Sequence, residues 1–517
     1  MVEVADGSGY ANRSETERSK LRRELSRFDT VFFLISAMVV VDTIGAIAVG
    51  GAQAFTWLLV LFVLFFIPSA LASAELGAAL PVEGGVYVWV RLAFGRFSAG
   101  VTSLLYWAGT PMWLGGSVTV VAMAVYERFF GDLGLAGLFV FGTFFVVAAT
   151  VASVIPLRYG KWVPTAGALT QIALLLFFTA SVFVYGTRHG VHGITWGDFS
   201  PSYLVFIAVA PILLYSFVGI ELPTSAAEEM IDPRKDIPAA IARAGVGQIL
   251  MYAIPILAVL FVLPTDRVTS LGGLVDAMKT VFTVYGGRVE ADGSATLEGV
   301  GAVIGSLCGL AFIFVLLASG SAWIMGAGRA QAAACLDGAG PAVLGRISDR
   351  TGVPVIMGLV SGAVALITMA VDLLATGGDG QRYFSVALTL AVALIVLAYL
   401  FIFPAFVALR IKEPGLERPF RVPGGAAVAW AITVITTGWS LVAALSLLWP
   451  GFGTSDPDAA LPPGFAGDRG TFELLVLAPI VLLVVVHSVF YVHENRRLGA
   501  DVLQGHLSTE TRPGPEF

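Results

Sequence analysis

Two short polar stretches, each carrying a carboxylate, interrupt long apolar segments of this chain. The first is Val41-Asp42-Thr43-Ile44-Gly45-Ala46-Ile47-Ala48, and the second is Tyr215-Ser216-Phe217-Val218-Gly219-Ile220-Glu221-Leu222-Pro223. In apolar surroundings a carboxylate binds a cation or takes up a proton, because leaving it charged and unpaired is costly. The two stretches are therefore the first candidates for a site that binds a cationic group.

The composition identifies the surroundings that must position these carboxylates. Of the 517 residues, 57% are apolar and 13% are charged, against roughly 25% charged in a typical soluble domain. A bilayer accommodates this composition because each helical crossing needs about 20 apolar residues. An isolated strand cannot pair its backbone in lipid, so the sequence predicts an all-α integral membrane protein.

The apolar segments predict about twelve transmembrane helices. We expect a polar N-terminal segment at 1–29, five helices within 30–186, five within 203–411, two within 426–492, and a polar tail at 493–517. The individual spans are predicted at 30–52, 55–80, 97–129, 133–156, 162–186, 203–230, 239–263, 299–335, 354–375, 383–410, 426–450 and 471–492. An amphipathic piece within 264–298 predicts a short helix over the outer vestibule.

The basic residues predict the orientation. With twelve crossings, 23 of the 30 Lys and Arg residues fall on the side of the two termini and 7 on the other side. Short cytoplasmic loops carry such an excess of basic residues. We therefore expect a multi-pass protein of the cell membrane with both termini in the cytoplasm.

Both polar stretches are suited to break their helices. Glycine lowers the cost of leaving helical geometry, and Pro223 removes a backbone donor. The stretches lie in the first and sixth spans, which is the spacing expected of two inverted five-helix repeats that share a binding site. Glycine is also common in membrane helices for close packing, so the spacing alone leaves both interpretations open. The two carboxylates favour the binding site.

At these residues the sequence resembles the amino acid–polyamine–organocation superfamily of secondary transporters. The similar motifs lie between about residues 28 and 430, in the family's order. They comprise Tyr215 to Glu221 followed by Asp232-Pro-Arg-Lys-Asp-Ile-Pro238, Pro81-Val-Glu-Gly-Gly-Val-Tyr87, Gly328-Arg329 with Asp337-Gly338, and Arg418-Pro-Phe-Arg-Val-Pro423. The resemblance implies a fold with a 5+5 inverted repeat and two peripheral helices, and alternating access around a central site.

The resemblance also implies the residues of that site. By motif position Gly45, Ala46 and Ile47 correspond to an unwound element of the first helix that holds the substrate's charged ends. Ala46 and Ile47 depart from the smaller or hydroxyl residues usual there, so the space is narrower and less polar. The other implied residues are Trp113 and Gly116 in the third helix, Tyr215 as an aromatic gate, Val218 and Gly219 at the unwound turn, and Glu221 in gating or coupling.

Asp42, beside Thr43, is more individual to this chain. Its carboxylate is interpreted as a ligand for a substrate amine, as a proton carrier, or as a cap of the first helix, and the sequence leaves these three roles open. Some proton-coupled relatives carry a lysine in the fifth helix that stands in for a sodium ion. This chain reads Ala168-Leu-Thr-Gln171 there, so coupling by that lysine is not expected.

These observations predict a transporter of an amino acid or an amine such as a polyamine, driven by protons or by exchange. Alternatives are a sodium-coupled symporter, or a non-transporting sensor or a channel on the same fold. No cluster of catalytic groups predicts an enzyme, and no motif predicts a metal, a cofactor or ATP-driven pumping. The expected partners are the small-molecule substrate, possible protons and membrane lipid, but not nucleic acid; the oligomeric state is left open.

Overall fold

The structure, a computed structural model, describes residues 9–190, 193–263, 268, 271–290, 293–377, 379–462 and 464–510. Most of it is helical. The helices are α1 Gly9–Arg18, α2 Arg27–Met38, α3 Thr43–Ala48, α4 Gly51–Leu61, α5 Ile67–Ala79, α6 Val86–Phe94, α7 Arg96–Trp113, α8 Thr119–Phe130, α9 Gly134–Val154, α10 Leu157–Gly160, α11 Trp162–His189, α12 Tyr203–Tyr215, α13 Pro233–Val262, α14 Gly273–Phe282, α15 Gly299–Leu336, α16 Val355–Thr376, α17 Gly380–Lys412, α18 Gly425–Leu448 and α19 Arg469–Glu510.

Within this part of the chain, ten continuous helical stretches are long and apolar enough to cross a membrane. Two of these stretches contain a π-helical segment. It lies at Phe62–Phe66 in the stretch Gly51–Ala79 and at Leu114–Val118 in the stretch Arg96–Phe130. A π-helical turn marks a place where the hydrogen-bond ladder is disturbed, often beside a functional site. The segment Leu114–Val118 lies against the first predicted span, since Ser117 donates to Asp42.

The first predicted span is interrupted. Ser26 and Asp29 form a reciprocal capping box that starts α2, which satisfies two backbone donors at the helix end. The helix ends at Met38, Val39 is extended, residues 39–42 belong to neither helix, and α3 runs for six residues from Thr43. The break thus lies just before Gly45.

The sixth predicted span is interrupted as well. α12 ends at Tyr215, residues 216–221 form turns, and a 3-10 helix follows over Leu222–Glu229. Gly219 has a φ of +98°, a conformation that side chains other than glycine rarely adopt. The chain therefore changes direction at this glycine.

The predicted all-α membrane fold is confirmed, and the predicted spans agree with the helices to within a few residues at most ends. The count of twelve stays a prediction, because it requires each of the two interrupted segments to cross once. One detail was wrong. Gly45, Ala46 and Ile47 were expected to be unwound, but they lie within α3, because the interruption of the span lies upstream at 39–42.

The helices differ strongly in how much of their surface is packed. In the most apolar window of the stretch Arg96–Phe130, 94% of the residues are buried, against 11% in the last stretch, Arg469–His493. α7 and α17, whose stretches are the most buried, therefore lie at the centre of the bundle, and α19 lies at its edge. On the side away from the termini, α14 packs over α3 at Gly45, and a hairpin of two strands, β1 Gly287–Val289 and β2 Ala295–Leu297, follows it.

Candidate functional site

The break in the first span leaves backbone carbonyls that α2 cannot pair, and neighbouring helices supply donors for them. Gln171 on α11 donates to the carbonyl of Val39 at 2.5 Å. On α13, the hydroxyl of Tyr252 lies 3.3 Å from the carbonyl of Val40 and accepts from the N–H of Val40 at 2.9 Å. Because buried backbone groups without a partner are costly, these side chains stabilise the open turn.

The two breaks lie side by side. The amide nitrogen of Gln248 on α13 donates to the carbonyl of Ser216 in the sixth span and, at 3.4 Å, to that of Met38 in the first. One buried side chain therefore bridges both interruptions. The arrangement brings freed backbone groups of two helices to one place inside the bundle, which is how broken-helix carriers build a binding site.

Asp42 lies at the end of the first break and is 3% exposed. Its Oδ2 accepts from Ser117 Oγ at 2.8 Å and from Trp113 Nε1 at 3.3 Å. Both donors belong to the third span, in or next to its π-helical segment. Oδ1 is buried and has no partner among the described side chains. Asp42 thus holds one oxygen fixed and offers the other.

Trp323 on α15 lies between Asp42 and the second carboxylate. Its Nε1 donates to the carbonyl of Ala37 at 2.8 Å. Its ring lies 6.2 Å from that of Trp113 and 6.1 Å from that of Tyr106, centroid to centroid. A Cβ on Gly219 would lie 2.9 Å from this ring, so the glycine lets the sixth span pack against the tryptophan.

Glu221 lies on the other side of Trp323, where two tyrosines bind it. Tyr106 donates to Oε1 at 2.7 Å, and the hydroxyl of Tyr399 lies 3.0 Å from each oxygen. Tyr399 also accepts the N–H of Gly219 at 3.3 Å. The carboxylate is therefore tied to α7, to α17 and to the turn at Gly219, and movement of any of the three alters its contacts.

The structure places the remaining sequence candidates as follows. The hydroxyl of Thr43 donates to the carbonyl of Val40 at 2.7 Å, so it holds the turn. Tyr215 is the last residue of α12 and is 2% exposed, and Val218 is buried in the second break. Ala46 is half-buried on α3. Ile47 is fully buried.

Gly116 faces away from the two breaks. A Cβ built on it would clash with the Cβ of Ala387 and would lie 3.6 Å from Oδ2 of Asp372, so the residue faces α17 and α16. This geometry does not support the expectation that Gly116 contributes to the pocket wall. The π-helical segment turns Gly116 away from the breaks and presents Ser117 to Asp42 instead.

Several residues at the site were missed by sequence reasoning. They are polar or aromatic side chains at single positions within apolar helices: Tyr106, Ser117, Gln171, Gln248, Tyr252, Trp323 and Tyr399. The two glutamines gave a usable signal, because an amide inside a membrane helix requires a partner. The tyrosines and the tryptophan gave none, since such residues also pack in apolar cores.

The buried charges around the breaks have one sign. Asp42 and Glu221 are both buried. Among the described residues, Arg329 is the one Arg or Lys that is fully buried. It pairs with Glu229 at the end of the 3-10 helix, so it lies beyond the breaks. A solute that enters between the breaks therefore meets carboxylates, carbonyls and aromatic rings. Such surroundings attract a cation.

A sequence profile of the family described as "Amino acid permease" matches residues 25–461, which is most of the chain and includes both breaks.

Individual proteins are similar to this chain over most of their length. A probable agmatine/putrescine antiporter of Lactococcus lactis is 24% identical over 78% of this chain and 83% of its own. A branched-chain amino acid permease of Bacillus subtilis is 24% identical over 83% and 91%. A crystal structure of the Eremococcus coleocola manganese transporter superposes with a TM-score of 0.55 at 12% identity, covering 96% and 98% of the two chains. This last likeness concerns the fold.

Proposed function

Since the chain belongs to the amino acid permease family, we propose that it is a secondary transporter that carries an amine-bearing solute, an amino acid or an amine, by alternating access. The family and the relatives named above support secondary transport. The substrate class follows from the centre of the bundle, where both helix breaks meet.

One observation carries the proposal, the geometry of Asp42. Two donors on the third span fix its Oδ2, while Oδ1 is buried beside the breaks without a described partner. A substrate ammonium bound to Oδ1 supplies the missing charge and hydrogen bond. Of the three roles that the sequence left open, we therefore propose that Asp42 binds the substrate amine.

The sign of the surrounding charge supports a cationic group. Glu221 adds a second carboxylate, and Trp113, Tyr215 and Trp323 offer ring faces on which an ammonium can rest. The similarity to a protein named as an agmatine/putrescine antiporter points to the same substrate chemistry. An amino acid also fits if backbone N–H groups of the breaks hold its carboxylate.

The site is closed in this structure. Asp42, Trp113, Tyr215 and Glu221 are each at most 3% exposed. We propose that substrate enters from the side covered by α14, binds at Asp42, and leaves past Trp323 and Glu221. The positive-inside asymmetry supports the proposal that the exit side, which carries the termini, is cytoplasmic.

The carbonyls of the first break are relevant to whether transport is coupled to sodium. Sodium symporters of this architecture use such freed carbonyls as sodium ligands. Here Gln171 and Tyr252 hydrogen-bond the carbonyls of Val39 and Val40, and Gln248 that of Met38. This favours exchange or proton coupling over sodium coupling.

The test is counterflow in liposomes with a panel of labelled amines and amino acids. The wild-type protein is expected to show saturable uptake of at least one of them, accelerated by the same solute inside. Asp42→Asn is expected to lower uptake by about tenfold or more, because one ion pair with a charge-assisted hydrogen bond is lost. Replacing sodium by choline at fixed pH is expected to leave the rate unchanged.

Asp372→Asn is the matched control and is expected to transport at the wild-type rate, because the carboxylate of Asp372 lies on α16 against Gly116, away from the breaks. Flux without trans-stimulation identifies a channel, and no flux with any solute identifies a sensor; either result rejects the carrier. Uptake by Asp42→Asn at the wild-type rate removes Asp42 from substrate binding.

A further inference from the structure

A second group of buried charges lies between the central site and the side of the termini. Arg329 on α15 donates to both oxygens of Glu229, at 2.7 Å from Nε and 3.1 Å from Nη2. Oε1 of Glu83, in the loop between α5 and α6, is 3.7 Å from Arg329 Nε. We call these three residues the inner cluster.

The inner cluster joins three parts of the bundle. Glu229 ends the 3-10 helix that follows the break in the sixth span, Arg329 belongs to α15, and Glu83 precedes α6. The N–H of Gly84 donates to the carbonyl of Ser225, which holds the loop against the 3-10 helix. A path from the central site to the terminus side can open only if these elements separate.

The charges of the inner cluster do not balance. The side chains of Arg329, Glu229 and Glu83 are at most 6% exposed, and they comprise one cation and two carboxylates. Arg329 is bound in a bidentate manner by Glu229. Oε2 of Glu83 is buried and has no partner among the described side chains. A buried carboxylate without a counter-ion is costly, and a proton removes that cost.

Glu83 adjoins a cavity on the terminus side. A cavity of about 590 Å³ lies on the terminus side, and Glu83 and Arg329 form part of its wall together with Arg18, Tyr87 and Glu417. The inner cluster is therefore the boundary between this cavity and the central site. Glu83 is the cluster's excess acid at that boundary.

We propose that Glu83 is a proton-binding site that keeps this inner gate closed. While Arg329 is held by Glu229, the carboxyl group of Glu83 is protonated. When the gate opens, water reaches Glu83, and the proton leaves to the terminus side as hydronium. The closed gate thus binds one proton more than the open gate, and acid on this side keeps the gate closed.

The surroundings of Glu83 support this assignment. Burial raises the pKa of Glu83 well above its ordinary range, and Glu229 raises it further, while Arg329 and Arg18 oppose the rise. Arg18 is itself engaged, because it pairs with Glu228. The opposing cations thus do not neutralise Glu83.

The other charged groups around the cavity are held by partners of their own. Asp337, at the end of α15, pairs with Arg91 of α6 and accepts from Tyr87. Arg234 of α13 pairs with Glu417. Neither of these cations therefore serves as the counter-ion of Glu83.

The direction of the pH effect follows from linkage. The stabilisation of the closed gate is complete below the ordinary pKa of a hydrated glutamate, about 4.3, and is lost as the pH rises through the elevated pKa. Between these two values, the ratio of open to closed gates increases by up to about tenfold per pH unit, because one proton is released.

Double electron–electron resonance tests this without any substrate. Cys308 and Cys335, the two cysteines of the chain, are replaced by serine, and spin labels are placed at Ile231→Cys and Val343→Cys. Both positions are exposed; Ile231 follows the 3-10 helix, and Val343 lies in the turn after α15. We expect a longer distance to gain population as the pH is raised from 5 to 9.

The variants distinguish Glu83 from other titrating groups. Glu83→Gln mimics the protonated form and is expected to keep the short distance at every pH, whereas Glu83→Asp retains the pH dependence. Glu417→Gln, on the same cavity but with an exposed side chain paired to Arg234, is the matched control and is expected to behave as the parent.

Glu229→Gln provides an independent check. It frees Arg329 to neutralise Glu83, so the transition is expected to move to lower pH. A parent protein whose distances do not change with pH, or a Glu83→Gln variant that keeps the transition, overturns the proposal. This inference rests on the proposed carrier function. The two can fail separately, because counterflow tests transport and the spin-label distances test the gate.

Discussion

At the scale of residues, the site depends on how single polar groups are paired. Asp42 is held by Ser117 and Trp113 on one oxygen, whereas Glu221 is held by Tyr106 and Tyr399 on both. The two buried carboxylates thus differ in what already binds them. Asp42 has one oxygen without a described partner, whereas tyrosine hydroxyls lie within hydrogen-bond distance of both oxygens of Glu221.

Ser117→Ala tests how much the positioning of Asp42 contributes. Loss of a hydrogen bond to a charged group costs about 1.5–3 kcal/mol, so we expect KM for the transported solute to rise by roughly tenfold or more. The maximal rate is expected to change less. Uptake kinetics in liposomes measure both.

Ser103→Ala is the matched control for Ser117→Ala. Ser103 is buried in the same helical stretch, and its hydroxyl has no described partner. KM should therefore stay at the wild-type value in this variant. An equal rise of KM in both variants would mean that packing of the third span, not Asp42, sets the affinity.

At the scale of elements, the interrupted spans are stabilised by the helices beside them. α11 and α13 supply Gln171, Gln248 and Tyr252 to the freed carbonyls, and α15 supplies Trp323, against which the turn at Gly219 packs. A break in a membrane helix persists only where other groups pair the exposed backbone. The breaks are thus a property of the neighbouring helices as well as of the two spans that contain them.

Gly219→Ala tests the turn of the sixth span. At a φ of +98° and with the ring of Trp323 2.9 Å from the new Cβ, alanine introduces strain of order 1–3 kcal/mol. We expect a lower melting temperature in detergent and a slower transport rate, since the turn must rearrange during the cycle.

Gly438→Ala in α18 is the control for Gly219→Ala, because a Cβ there meets no atom within 4 Å. In a helix, alanine is favoured over glycine by about 1 kcal/mol, so its melting temperature should rise slightly. A Gly219→Ala protein as stable and as active as the wild type would contradict the turn's assigned role.

At the scale of the whole molecule, buried ion pairs join distant parts of the chain on the terminus side. Glu75 near the end of α5 accepts from Arg410 Nε at 2.8 Å and from the N–H of Val422 at 2.7 Å, and Arg418 Nε lies 3.2 Å away. This cluster connects α5, α17 and the loop before α18. It shares no residue with the inner cluster, so the two can be tested separately.

Glu75→Ala is expected to destabilise the protein by on the order of 3–5 kcal/mol, because it leaves two largely buried guanidinium groups without their counter-ion. Glu473→Ala is the control, since its pair with Arg469 is more exposed and such pairs contribute about 0–1 kcal/mol. Thermal unfolding in detergent measures both. Equal melting temperatures would show that Glu75 does not hold these elements together.

The sequence by itself determined the membrane class, the helix positions and the region of the candidate site. Each rests on a signal that a single chain carries: about 20 apolar residues per crossing, the cost of the carboxylates of Asp42 and Glu221 inside apolar segments, and the motifs of a family. These signals are local, so they did not require knowledge of which helices touch.

Only the tertiary structure decided which groups meet. The first break lies at 39–42, not at Gly45. At 39–42, side chains of α11 and α13 hydrogen-bond the carbonyls that the break exposes. Gly116 turned away from the breaks, and Ser117 took its place beside Asp42. The inner cluster joins Glu83, Glu229 and Arg329 from three separate parts of the sequence. Where polar groups are buried, long-range pairing sets their position and charge, and no local pattern encodes it.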